Sequence, residues 1–140
     1  MRRVFLDANI LFSAANPGTH IARLVDRLCA VCPVVTSAVA HAEADRNLLA
    51  KWPAHHGGLP PLMAKLRLVN TALSPLPVPL AEKDRPILCA AIEAGCDLLL
   101  TGDRRDFGHL MGKAVKGVRV VDPAGVARLL QERIEQDVDP

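Results

Sequence analysis

Apolar positions along the chain alternate between short strand-like runs and longer helical periods. Arg3–Leu6 is a short β-rich run closed by Asp7. Asn9–Ala15 predicts a helical turn, broken by Asn16-Pro17-Gly18. Thr19 then stands as an N-cap for a helix to about Ala30, with Ile21, Leu24, Val25 and Leu28 on one face. Pro33–Thr36 reads as a strand, and Ser37 caps a helix that carries Glu43, Arg46, Asn47 and Leu48 and stops near Trp52-Pro53. Ala54–Pro61 has the composition of a loop, Leu62–Leu68 looks helical, and the prolines of Ser74–Pro79 fit an extended edge or connecting segment. Asp84 opens a helix with Pro86 in its first turn, packed through Ile87, Ala90, Ala91 and Ala94 and ended by Gly95. Leu98-Leu99-Leu100 is wholly apolar, as in a strand covered on both faces. Val118–Val121 is the last strand, and Asp122-Pro123 starts a helix to about Gln136.

Repeated strand-then-helix order predicts an α/β fold: a central, mainly parallel sheet with helices on both faces, a three-layer α/β/α sandwich. Residues 1–136 are expected to form a single domain, and Asp137–Pro140 a short tail. The 140 residues suffice for one real core, and the composition (50% hydrophobic, 23% charged) is globular. No apolar run approaches a membrane span. The basic start, Met1-Arg2-Arg3, is followed by apolar residues that Asp7 and Asn9 break at once, so it is not a signal peptide. The expectation is a cytoplasmic protein with no membrane partner.

A net charge of +2 does not by itself imply a nucleic-acid partner, although Arg104-Arg105 and Lys113, Lys116 and Arg119 can form local patches. One Trp, three Phe and no Tyr argue against a base-stacking platform. Cys29-x-x-Cys32 has the spacing of a redox or zinc pair, but no second knuckle exists, and Cys29, Cys32, Cys89 and Cys96 fit buried free thiols better. His55-His56 falls in the loop-like stretch and is expected to be solvent-exposed, as against a metal or RNA role.

The chemistry lies in the acids. Asp7 and Asp103 follow strand-like runs, and carboxylates at the carboxyl ends of parallel strands converge on one crevice. Asp84 starts a helix and Asp106 follows Asp103 by one turn. Glu43 reads as lying on the apolar side of its helix beside Val39, Ala40 and Ala42, where a carboxylate needs a partner. Asp45 lies off that face, solvated or paired to an arginine. Each acid also has an ordinary reading: Asp7 and Asp103 as turn residues, Asp84 as an N-cap, Asp106 as a cap for Phe107 onward. Several carboxylates brought together repel unless a divalent cation neutralises them.

Val4–Leu11, Ala42–Leu48, Asp84–Ala91 and Leu100–Phe107 resemble, in order and spacing, the four acidic motifs of the PIN-domain nucleases. The resemblance runs from Val4 to about Phe107 and implies a PIN-like fold, a Mg²⁺ or Mn²⁺ cofactor and hydrolysis of single-stranded RNA. By motif match Asp7, Glu43, Asp84 and Asp103 would be the catalytic acids. Asp7, Asp84, Asp103 and Asp106 would be metal ligands, and Asn9 would orient Asp7 or the metal's water. Arg46, Arg85, Arg104 and Arg105 flank the acids as phosphate contacts. Ala8 stands where the family often has a hydroxyl, so that hydroxyl is absent. A chain this small resembles VapC-type toxins, which implies a cognate antitoxin protein and a homodimer. The alternatives are a non-catalytic PIN-like module binding RNA or protein, or another Mg²⁺-dependent α/β phosphohydrolase. A haloacid-type phosphatase wants Asp-x-Asp-x-Thr, and Asp7-Ala8-Asn9-Ile10-Leu11 lacks the second Asp and the Thr.

Overall fold

A computed structural model describes residues 3–70 and 73–138, with side chains to residue 133. Six strands form one sheet: β1 (Val4–Leu6), β2 (Val34–Ser37), β3 (Arg67–Val69), β4 (Leu98–Leu100), β5 (Ala114–Val115) and β6 (Val118–Val121), in the order β3-β2-β1-β4-β6-β5. All neighbours are parallel except β5 and β6. The helices are α1 (Ala8–Ala14), α2 (His20–Val31), α3 (Ala38–Lys51), α4 (Leu59–Met63), α5 (Arg85–Glu93), α6 (Arg104–Phe107) and α7 (Pro123–Val138). The result is the expected three-layer α/β/α sandwich around a mainly parallel sheet.

β1 and β4 are central, and every residue in both is buried. Val4 pairs with Val34 on one side and Leu98 on the other. That is why these strands read as unbroken apolar runs rather than alternating ones. The chain builds leftward from β1 through β2 to β3, then returns to β4 and builds rightward. The reversal between β1 and β4 is a topological switch point, where a crevice opens beyond the strand ends.

The predicted caps form: Thr19 Oγ1 accepts from the Ala22 amide and Ser37 Oγ from the Ala40 amide. Other expectations change. Ala54–Pro61 is not an irregular loop, because Pro53–Gly58 forms a 3-10 turn that runs into α4. Pro60 and Pro61 sit in the first turn of α4, where a missing amide hydrogen costs nothing. The helix expected over Leu62–Leu68 ends at Met63, and Arg67–Val69 becomes the edge strand β3. Two of its three residues are exposed, so it carries no apolar period for sequence reading to detect. Ser74–Pro79 is the connecting segment of the two options, since no strand forms there. α7 reaches Val138, past the expected end near Gln136; Asp139 and Pro140 of the expected tail, and Met1-Arg2, lie outside the described residues. The hairpin from β5 to β6 was not foreseen. It turns on Lys116 and Gly117, both with positive φ (47° and 86°), the geometry of a tight two-residue hairpin.

Candidate active site

Asp7 is the residue after β1, and Thr101, Gly102 and Asp103 follow β4, its parallel neighbour. The Asp7 amide donates to the Leu100 carbonyl at 3.0 Å, so strand pairing itself sets the two ends side by side. Around them lies a cleft of about 470 Å³ lined among others by Asp7, Asn9, Glu43, Asp84 and Asp103. Four carboxylates from four separate stretches of sequence therefore face one space.

Asp7 is 3% exposed and nearly fully engaged. Its Oδ1 accepts from the Ala8 amide at 2.6 Å, and its Oδ2 accepts from Thr101 Oγ1 at 2.8 Å and from Asn9 Nδ2 at 3.0 Å. An ionised carboxylate offers about four acceptor positions, so Asp7 keeps one spare, on Oδ1. Burial pushes its pKa up, the Thr101 and Ala8 hydrogen bonds pull it down, and the charges of Glu43 and Asp103 raise it further. Asn9 is fixed in turn: its Oδ1 accepts from the Gly102 amide at 2.7 Å. It thus joins the two strand ends and donates to Asp7.

Thr101 was missed by sequence reading. Fully buried, it donates to Asp7, accepts from the Asp103 amide at 3.1 Å and accepts from Asn9 at 3.2 Å. The hydroxyl lacking at Ala8 is thus supplied to Asp7 from the neighbouring strand. The available signal was Thr101-Gly102-Asp103, a strand-end hydroxyl poised to cap the turn that follows. Thr101→Val keeps the shape but strips a donor from a buried carboxylate. It is expected to cost about 1–3 kcal/mol in chemical denaturation, with Thr101→Ser close to wild type.

A tighter group includes Asp84 and Asp103 of the cleft lining. Asp84, Asp103 and Asp106 each place a carboxylate oxygen within 4.8 Å of the others. Asp103 caps α6, its Oδ1 accepting from the Asp106 amide at 3.0 Å, so Asp106 lies inside that first turn and does not itself start a helix at Phe107. Phe107, fully buried, anchors this turn to the core. Asp84 precedes α5 but makes no side-chain cap. It is 6% exposed, and its Oδ2 is buried without any hydrogen-bond partner. Burial pushes its pKa to about 7, with Lys83 opposing and the charges of Asp106 and Asp7 adding to the rise. Asp106 shifts the other way, held down chiefly by its hydrogen bond from Lys83. An unpartnered buried acceptor beside two more carboxylates is a donor set suited to a hard, oxygen-seeking divalent cation. Asp7, expected among the ligands, is not part of this compact set, although it lines the same cleft.

Glu43 lines the cleft, half-buried at the margin of α3. The buried stripe of α3 is Ala40, Ala44 and Leu48, and Val39 and Ala42 are exposed, so the apolar side was misassigned. None of the four expected arginines lines the cleft. Arg46 and Arg105 are exposed, Arg85 is half-buried, and Arg104 is ion-paired to Asp122. The cations that do line it are Lys51 and Lys83. Asp45 is partly solvated, as expected, and its partner is a histidine rather than an arginine: His56 Nε2 lies 2.6 Å from its Oδ1. His55 is half-buried with its ring edge-on to Trp52 at 4.2 Å, so both histidines bind the 3-10 turn to α3 rather than lying free in solvent. All four cysteines are free; Cys89 and Cys96 are buried and Cys29 and Cys32 half-buried.

No family model matches the chain, and no curated protein is similar to it in sequence. Solved structures are similar in shape. One is a chain of VapBC2 from Rickettsia felis bound to a DNA fragment from their promoter (TM-score 0.63, 14% identity, 86% of this chain and 98% of that one). Another is a chain of DNA-bound VapBC from Salmonella typhimurium (0.59, 16%, 88% and 99%). A third is a chain of VapBC-1 from nontypeable Haemophilus influenzae (0.55, 17%, 87% and 98%). At such identities what is shared is the backbone, over nearly the full length of those chains: this protein has the PIN-like α/β/α fold, with its acids gathered at the switch point of the sheet.

Proposed function

We propose that the protein is a metal-dependent endoribonuclease that hydrolyses single-stranded RNA, and that it is the toxin of a toxin–antitoxin pair acting in the cytoplasm. The observation that carries the nuclease reading is the carboxylate group of Asp84, Asp103 and Asp106, within 4.8 Å of one another and including an orphaned buried oxygen. These three residues would hold Mg²⁺ or Mn²⁺. When bound, such a cation lowers the pKa of a coordinated water and offsets charge on phosphate oxygens. Glu43 and Asp7 line the same cleft, and Glu43 with the spare acceptor of Asp7 would orient a water and receive its proton. Asn9 and Thr101 keep Asp7 in register. Lys51 and Lys83 supply positive charge for the RNA backbone, in the place sequence reading gave to arginines.

The toxin role rests on the shared fold and the match in chain length with chains of VapBC assemblies. It brings with it an antitoxin partner and a homodimer. Among the described residues no helix is long and apolar enough to cross a membrane. The test is cleavage of a labelled single-stranded RNA. Wild type should cut with Mn²⁺ and stop with EDTA, and Asp7→Asn should be slower by about 100-fold or more. Equal rates for the variant, with EDTA without effect, would sink the metal-nuclease reading. The absence of an inhibitory protein encoded beside this one would remove the toxin role alone.

A further inference from the structure

Lys83 lies in the 3-10 turn Glu82–Asp84, the same turn that presents Asp84 to the cleft. Its Nζ is 2.8 Å from Asp106 Oδ2, and it lines the cleft beside Asp84 and Asp103. The lysine side chain is 66% exposed, whereas that of Asp106 is 18% exposed. Its partner is thus held by the fold while the lysine reaches it from an exposed position. Asp84, by contrast, has a buried oxygen that makes no hydrogen bond.

We infer that Lys83 is an intramolecular counter-ion for the acidic group, holding Asp106 until a divalent cation displaces it. The inference rests on the metal-site reading above. Three carboxylates this close repel one another strongly, and one ammonium offsets only part of that charge. A dication on Asp84, Asp103 and Asp106 competes with the lysine for Asp106 and sits close to its positive charge. An ion pair with one largely exposed partner is weak enough to be exchanged. The lysine therefore steadies the cation-free cleft and raises the cation concentration needed to fill it. These two effects have opposite signs, which a merely structural lysine would not produce.

Calorimetric titration of the full chain with MnCl₂, and thermal melts without cation, distinguish the possibilities. Lys83→Met should bind Mn²⁺ roughly 3- to 5-fold more tightly than wild type at low ionic strength. The gap should narrow at high salt, and the cation-free variant should melt below wild type. Lys83→Arg should restore both properties, because it keeps the charge. Asp84→Asn is run alongside: if wild type binds no Mn²⁺, or Asp84→Asn binds it equally well, the metal-site reading itself fails. If Asp84→Asn loses binding but Lys83→Met binds Mn²⁺ no more tightly than wild type, only the counter-ion role of Lys83 is overturned.

Discussion

Asp84→Asn is expected to slow RNA cleavage severely and to stabilise the cation-free protein. The loss follows from geometry: Asp84 brings a buried, unpartnered oxygen to the triad with Asp103 and Asp106, and an amide there is a poorer, uncharged ligand. A drop of about 100- to 1,000-fold in cleavage is the expected scale for losing such electrostatic support. The gain follows from the same burial. Asp84 in the folded chain holds its proton to about pH 7, against the usual 3.8. A raised carboxyl pKa means that the folded state binds more protons than the unfolded chain between those values. Its contribution to stability is therefore full below about pH 4 and is lost as pH rises to about 7. Above that, the cation-free protein carries an ionised carboxylate facing Asp106 and Asp7. Each tenfold change in proton affinity corresponds to about 1.4 kcal/mol, and solvent at the cleft mouth reduces the total to something on the order of 2 kcal/mol. Melting temperatures with EDTA should show Asp84→Asn and wild type together at pH 4 and the variant higher by roughly 5 °C at pH 8. A lower melting temperature for the variant at pH 8 would contradict the assignment. Function held at the expense of stability is the signature of a ligand site.

Gly58→Ala is expected to cost about 3 kcal/mol, the tightest clash of any added β-carbon among the glycines. A β-carbon there would lie 1.8 Å from the Ala15 carbonyl oxygen and 2.8 Å from its carbon. The obstacle is backbone, at the C-cap of α1, and cannot rotate away. Either α4 lifts off or the end of α1 moves, and α1 carries Asn9 near its start and Phe12 on the cleft wall. Gly57→Ala is the matched control, because a β-carbon at Gly57 meets nothing within 4 Å. Melting should drop by roughly 10 °C for Gly58→Ala and change little for Gly57→Ala. Equal melting of the two would show that α4 is not seated on α1 as described.

What was legible in the sequence was whatever local chemistry dictates. Leu98-Leu99-Leu100 announces a strand buried on both faces, and Thr19 and Ser37 announce helix starts, because those signals lie within a few residues. The convergence of Asp7, Glu43, Asp84 and Asp103 on one cleft was legible through fold logic, since strand order brings β1 and β4 together. Features set by distant partners were not. Thr101 matters because its hydroxyl reaches Asp7, 94 residues away in sequence. Lys83 is an ordinary surface lysine until Asp106 arrives beside it. The arginines are near the acids in sequence, yet none of the four lines the cleft, and Arg104 is taken by Asp122. β3 escaped because an exposed edge strand has little apolar pattern to show. The hairpin at Lys116-Gly117 did leave a local signal, a glycine between β-branched residues, and could have been read.

The most direct test of a cation-loaded nuclease site is the anomalous difference map of a crystal soaked in Mn²⁺. A peak is expected within ligand distance of Asp84, Asp103 and Asp106. No peak there at a Mn²⁺ concentration that saturates RNA cleavage, or a peak held by other side chains, would contradict it.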